Sequence, residues 1–507
     1  MANSRRVGAL LSYVYMAVNV LVQLIYVPLL LGSIGRDEYG MYQLIGSIMA
    51  YVISINGVLS AGVGRFYCKY IAEGNREKAE NILAISRRIY WIMSAVALLA
   101  VGVLTVVFRS VYSSSFTPAQ IEECTAMLLV LGINTVITMN NTVSIAAITA
   151  HERFVFLKLS SLVVLIAQPI LVILFTGFFP NALTVTVVIL AMNAACAFVQ
   201  SLYRRNILKV GRCYYGWDSK LAKALLGFSS AIVMVTIADQ IFWKTDQLIV
   251  GYMFGAGSVA VYAVGAQIYQ MYMNIGTAAG AIFLPHISEL YHKDHNLVGM
   301  SDLFIKFGRL NCILLLLVLG GFIVLGQDFI NIWVGDGYFD SYLVALIVML
   351  PFTIDLIQNL GLTILQVTNQ YYFRGAMYLV ISILNVFLTF LLLSIYGLPG
   401  AAISTAVAMF IGNGLIMNWY YAKKVGLDIL RFWKEIAHIA LPALAATGLA
   451  GIVYFLAPFE HGNTVFFLVG CFLYGCLYIV FEWMFGMNNY EKSLVSAVVN
   501  KVFLHVK

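Results

Sequence analysis

Charge is what this sequence has least of. Of its 507 residues only 10% are Asp, Glu, Lys or Arg, against 62% hydrophobic, where a water-soluble domain carries roughly 25% charged residues. Water is therefore excluded as the main solvent. Proline is scarce as well, nine residues in all, so long apolar runs go largely uninterrupted. The seven cysteines are scattered and include no CxxC pair, which speaks against a disulfide framework or a zinc site. No P-loop, nucleophile elbow or catalytic carboxylate pair sits on a soluble segment. His286, His292 and His295 crowd one segment without ligand spacing, and no metal is expected there.

What the chain does have is apolar length. A helix crosses the hydrocarbon core with about 20 apolar residues, and the alternative, a closed barrel, would read as short alternating strands. The runs here are continuous, so an all-α polytopic membrane protein with about fourteen spanning helices is expected. The segments are 8–31, 39–62, 89–108, 124–149, 155–178 and 182–203, then 226–253, 259–283, 308–326, 342–366, 375–396 and 399–421, and finally 437–457 and 464–486. The first run follows Arg5 and Arg6 but extends to Leu31 with no evident cleavage site, so it reads as a spanning helix and not a signal peptide.

Positive charge is distributed unevenly between alternate connections. With the amino terminus inside, 27 of the 30 Lys and Arg residues fall on the cytoplasmic side, as the positive-inside rule requires. Both termini are therefore expected in the cytoplasm. The net charge of +7 is accounted for by these segments, and no nucleic-acid partner is expected. Lys69–Arg88 mixes charge with Ile71, Ile82, Leu83 and Ile85 and reads as an amphipathic helix at the inner interface.

Two groups of six spans echo each other. Gly35 matches Gly255, Tyr42 matches Tyr262, Arg88 matches Arg309, Asn141 matches Asn359, Phe154 matches Tyr372 and Pro180 matches Pro399, all at nearly one shift. Six spans per repeat is an even number, so the halves are parallel repeats around a central cavity. The expected organisation is residues 1–210, residues 211–425 as their repeat, and 426–507 with two further spans and a cytoplasmic tail.

Three stretches carry a family resemblance: Leu31–Tyr42 (LGSIGRDEYGMY), Asp246–Ala263 (DQLIVGYMFGAGSVAVYA) and Gly326–Gly337 (GQDFINIWVGDG). With the 6+6+2 plan, the chain resembles the polysaccharide-transporter branch of the multidrug/oligosaccharidyl-lipid/polysaccharide (MOP) exporter superfamily, the O-antigen and repeat-unit flippases. The resemblance implies a transporter and not an enzyme. Its cargo would be an undecaprenyl-diphosphate-linked oligosaccharide, moved across the bacterial cytoplasmic (inner) membrane for O-antigen, capsule or exopolysaccharide assembly. Membrane lipids and the polysaccharide polymerase and assembly machinery would be its partners. No cofactor is expected beyond a coupling proton or sodium ion. The alternatives are a cation-coupled exporter of small amphipathic molecules on the same fold, a lipid II flippase, or a membrane glycosyltransferase or ligase. The first span carries no basic residue, which counts against lipid II, and no outer connection is long enough for an enzyme domain.

Ionisable side chains at bilayer depth are costly and mark function by default. Four lie deep within the spans: Asp239, Lys244 and Asp246 on the seventh, and Asp355 on the tenth. Asp239 and Asp246, seven apart, share a helix face, whereas Lys244 lies about 200° from Asp246 and about 140° from Asp239. Lys244 is thus a candidate for the substrate's diphosphate, with a salt bridge to another helix as the competing reading. Asn19, Gln23, Asn141 and Asn359 are candidate sugar contacts, with helix–helix adhesion as their alternative. Asp355, Asp239 and Asp246 are candidate ion-coupling groups.

Overall fold

The computed structural model describes residues 2–211, 213–277, 283–292, 296–456 and 463–504; His295 lies outside them. Among the described residues the structure is helical and contains no strand. The chain divides into two compact units, 1–263 and 264–507.

Unit 1 is built from α1 (Ala2–Ile34), α2 (Arg36–Ala72), α3 (Arg76–Val111), α4 (Pro118–Ala150), α5 (Phe154–Thr176), α6 (Ala182–Leu202) and α7 (Ser219–Phe254), and the division falls within α8 (Ala256–Thr277). Unit 2 continues with α9 (Leu284–His292), α10 (Leu297–Val334), α11 (Phe339–Ile357), α12 (Leu360–Val367) and α13 (Tyr371–Tyr396). Then come α14 (Leu398–Met409), α15 (Met417–Tyr420), α16 (Ile429–Leu456), α17 (Thr464–Phe481) and α18 (Asn489–Leu504).

Helix runs through the described part of each of the fourteen expected spans, and eleven candidates among the described residues are long and apolar enough to cross a membrane. The helices α2, α7 and α8 also have the length, at 37, 36 and 22 residues. Their polar side chains are turned inward: Tyr51 bonds Thr245 across α2 and α7 at 2.6 Å, and Ser47 donates to Gln247 beside it. These contacts seat α7, expected to open the second repeat, along α2 in unit 1.

Helix starts follow from capping side chains. Thr117 accepts from Gln120 N while the Gln120 side chain returns to Thr117 N, with Pro118 in the first turn, a reciprocal capping box. Asn181 caps α6, and Glu38 and Glu123 each accept a backbone N–H of its first turn, from Ala182 at 2.7 Å and Leu183 at 3.1 Å. Carboxylates belong at that positive helix end.

Two expectations change on inspection. There is no separate surface helix over Lys69–Arg88: α2 continues to Ala72, turns at Glu73–Asn75, and α3 begins at Arg76. Ile82, Leu83 and Ile85 are buried in the protein, so their apolar face is covered by neighbouring helices and not by lipid. The span expected at 342–366 is two helices, α11 and α12.

Local geometry recurs in the two units. Gly35 and Gly255 each form a one-residue link between helices, with φ of 83° and 79°, a conformation costly for residues with a Cβ. Phe156 stacks on Tyr203 at 3.7 Å in unit 1, and Phe373 stacks on Tyr420 at 3.8 Å in unit 2. A π-helical turn follows each pair, Tyr203–Ile207 and Tyr421–Val425.

The C-terminal helices are fastened to unit 2 through Arg309 on α10, which is 2% exposed. Its guanidinium donates to both carboxylate oxygens of Glu491 on α18 at 2.6 and 2.8 Å, to Glu435 on α16 at 2.7 Å, and to the Gly486 carbonyl at 3.0 Å. A planar fork of donors suits such multidentate pairing, and a buried ion pair holds only when hydrogen-bonded in this way.

One close approach gives a direct test of the α2–α8 packing. A Cβ on Gly40 would lie 1.8 Å from the Ala256 carbonyl oxygen, whereas one on Gly46 would meet nothing within 4 Å. Gly40→Ala is expected to lower the thermal unfolding midpoint in detergent, a destabilisation of about 1–3 kcal/mol. Gly46→Ala should leave the midpoint unchanged or slightly raised.

Candidate functional site

The tenth span reads PFTIDLIQNLG, and at Gln358–Asn359 its helix stops and restarts. The backbone tightens there: Gln358 N–H donates to Asp355 O at 3.2 Å, Asn359 N–H to Leu356 O at 3.2 Å, and Gly361 N–H to Gln358 O at 2.8 Å. In hydrocarbon an interrupted helix survives only where the protein satisfies its freed groups. Asn311 on α10 does this, donating to the Leu356 carbonyl at 2.8 Å and the Gly276 carbonyl at 2.9 Å. The corresponding stretch of α3, residues 89–94, reads IYWIMS and has no amide, and α4 in unit 1 runs unbroken through Asn141.

Charge gathers at the break. Asp355 faces Arg374, from the first turn of α13, with the oxygen and nitrogen 3.9 Å apart and the side chains 25% and 16% exposed. Arg374 also lies over the Tyr378 ring at 6.0 Å. On the other side Gln358 donates to Asn418 at 3.1 Å, and Trp433 donates to the same amide oxygen at 2.9 Å. A loosely matched carboxylate–guanidinium pair beside an interrupted helix can hold an ion or an anionic headgroup, as broken helices do in secondary transporters.

Unit 2 also carries an apolar cleft. Leu449 and Val453 of α16 and Phe466, Val469 and Leu473 of α17 line about 630 Å³ that reaches Val324 on α10. Its floor is a buried cluster including Leu325, Ala446 and Tyr474. A volume so lined takes hydrocarbon and no charge.

The remaining candidates are distributed as follows. Asp246 is 2% exposed and accepts from Tyr262 at 2.9 Å, so the first residue and the tyrosine of one resemblance stretch staple α7 to α8. Asp239 and Lys244 lie partly buried on α7, and among the described residues no carboxylate pairs with Lys244. Gln23 donates to Asn19 at 3.3 Å. Asn141 donates to Gln200 at 2.7 Å, the same α4–α6 position at which Gln358 meets Asn418 in unit 2. Asn359 lies in the break itself. Asp355 and Asn359 thus lie at the same helix break, and Asn19 pairs separately with Gln23. Sequence reading missed Arg374, which counts as one more loop cation; the signal available was that a deep Asp355 needs a counter-charge nearby.

The family described as polysaccharide biosynthesis protein matches residues 34–343. The chain belongs to that family. It is similar to the uncharacterized membrane protein EpsK of Bacillus subtilis (strain 168), 22% identical over 485 residues and 92% of each chain. It is also similar to a putative O-antigen transporter of Shigella flexneri, 22% identical over 228 residues, 44% of this chain and 52% of the relative. Among solved structures it is similar to the lipid II flippase MurJ in an inward closed conformation, with a TM-score of 0.72, 14% identity, and 96% and 99% of the two chains covered. An inward-facing multidrug resistance MATE family transporter of the MOP superfamily gives a TM-score of 0.59, 13% identity, and 82% and 96% coverage. At these identities the solved structures speak for the fold alone. The chain is a multi-pass membrane protein of the polysaccharide biosynthesis family.

The break depends on Asn311. Asn311→Leu removes both of its hydrogen bonds to these carbonyls, a loss of about 2 kcal/mol or more. A lowered thermal midpoint together with faster amide exchange at residues 356–362 is the expected result. Unchanged exchange there would show that the break stands without its cap.

Proposed function

We propose that the chain flips undecaprenyl-diphosphate-linked oligosaccharide repeat units from the inner to the outer leaflet of a bacterial cytoplasmic membrane, for surface polysaccharide assembly. The observation that carries this reading is the pairing, within unit 2, of a charged break in a spanning helix with an apolar cleft. A lipid-linked saccharide needs both, since its phosphates must exchange water for protein charge while its tail stays in hydrocarbon. The family and the relative named as a putative O-antigen transporter agree with that cargo.

In this reading Arg374 and Lys244 meet phosphate, and Asn359, Asn141, Asn19 and Gln23 offer amides to sugar hydroxyls. Asp355 is the coupling group, binding a proton or sodium ion in exchange for its hold on Arg374. Asp239 is a second carboxylate on the path, while the Tyr262 bond gives Asp246 more of a hairpin role. The two six-helix repeats, 1–210 and 211–425, alternate in access, with 426–507 attached to the second. The 27-of-30 distribution of basic residues puts both termini in the cytoplasm, where the chain would receive its cargo, and a polymerase would act on the product outside.

Deletion of the gene from its host should cause polyprenyl-diphosphate-linked repeat units to accumulate, measured by mass spectrometry of extracted lipids. Wild-type protein should clear them and Arg374→Gln should not, with export at least about tenfold slower, the loss expected for one charge-assisted contact. Asp355→Asn should slow export and flatten its dependence on pH or sodium. Normal clearance by both variants would remove the broken helix from the transport path.

A further inference from the structure

In unit 1 a separate cavity opens between α3, α4 and α6, with a volume of about 250 Å³. Three helix faces line it. Arg87 and Trp91 are one turn apart on α3, Asn140 and Asn141 lie on α4, and Ser201 is on α6. No carboxylate is among the lining residues. Arg87 stands where α3 changes character, since the polar stretch ending at Arg88 gives way to the apolar run from Ile89. That is the depth of lipid headgroups. Trp91 is 54% exposed, as expected of an interfacial indole.

The polar groups of the cavity are committed on one side only. Asn141 spends its amide N–H₂ on Gln200, and Asn140 spends its own on Ser94 and the Val136 carbonyl. The Oδ1 atoms of both are buried and have no hydrogen-bond partner. Two buried acceptors without donors are costly and call for a ligand carrying hydroxyls. Positive charge accumulates beside them. Arg204, one turn beyond Ser201 on the π-helical turn, is 6% exposed. It gives one donor to the Val210 carbonyl at 2.7 Å, and its Nε is buried without a partner. Arg204 lies within electrostatic range of Arg87 and Arg205. A buried guanidinium with an unmet donor, among other guanidiniums, draws an anion.

We propose that this cavity binds a phosphorylated polyol headgroup: a phosphate held by Arg87 in the field of Arg204, with its hydroxyls donated to Asn140 and Asn141. Two membrane components carry that chemistry, a glycerol-headed anionic phospholipid and a sugar-headed polyprenyl diphosphate. Phosphatidylcholine has the phosphate without hydroxyl donors and is the control. The site stands on unit 1 alone; its saccharide-carrier arm shares Asn141 with the transport reading, whereas its phospholipid arm does not rest on that reading.

Native mass spectrometry of the purified full chain in detergent, titrated with phosphatidylglycerol, phosphatidylcholine or a polyprenyl diphosphate disaccharide, tests this. Wild-type protein should retain at least one of the two polyol ligands about tenfold better than phosphatidylcholine. Arg87→Gln, at an exposed position that the fold does not require, should erase most of that preference, and Arg87→Lys should keep part of it. Asn141→Ala should weaken the polyol ligand and leave phosphatidylcholine unchanged. A loss confined to phosphatidylglycerol assigns the site to bulk lipid, and a loss confined to the disaccharide assigns it to the saccharide carrier. Equal retention of all three ligands, or a preference indifferent to both Arg87 and Asn141, would overturn the proposal.

Discussion

A bilayer offers no hydrogen bonds, so every backbone group that leaves a helix inside it must be met by the protein. This constraint explains why the described residues are almost wholly helical and why the span interrupted at Gln358–Asn359 is so heavily furnished. The freed carbonyls at Asp355, Leu356 and Gln358 are taken up by tightened local bonds and by Asn311. The same break sets Gln358 and Asn359 between two helices, with Asp355 in the last turn before it, partly exposed. Structural necessity and candidate function meet at one point, and unit 1, with its unbroken α4, lacks the equivalent.

Charge obeys the same economy. Arg309 is buried because Glu491, Glu435 and a backbone carbonyl surround it, which ties α16 and α18 to α10. Asp246 is buried because Tyr262 reaches it. The Asp355–Arg374 pair is different: at 3.9 Å and partly exposed, it is weakly held. A tight buried pair specifies structure, whereas a loose one at a helix break leaves both charges available to a ligand.

Much of this was legible in the sequence, for identifiable reasons. The spans were readable because apolar length is a one-dimensional property. The repeat was readable because turn glycines such as Gly35 and Gly255 cannot be exchanged without strain at positive φ. Two of the stretches carrying the family resemblance hold helix contacts, Gly40 against Ala256 and Asp246 with Tyr262, so they report the fold and say little about cargo. What could not be read were partners distant in the chain. Arg374 looked like a loop cation, Asn311 like any polar residue in an apolar run, and the amide pairs Asn141–Gln200 and Gln358–Asn418 lie about sixty residues apart. The amphipathic pattern near Arg88 was real, but a helical stripe does not say whether lipid or protein will cover it.

The central claim is that this chain moves a lipid-linked saccharide across a bilayer. Its most direct measurement is reconstitution of the purified chain into vesicles loaded on one leaflet with a fluorescent polyprenyl-diphosphate oligosaccharide, scored by a membrane-impermeant quencher. The account predicts that vesicles with the protein expose the label to the quencher and that Arg374→Gln vesicles do so far more slowly. Exposure in protein vesicles no faster than in protein-free ones, with correctly folded chain in the bilayer and an ion gradient imposed, would contradict it.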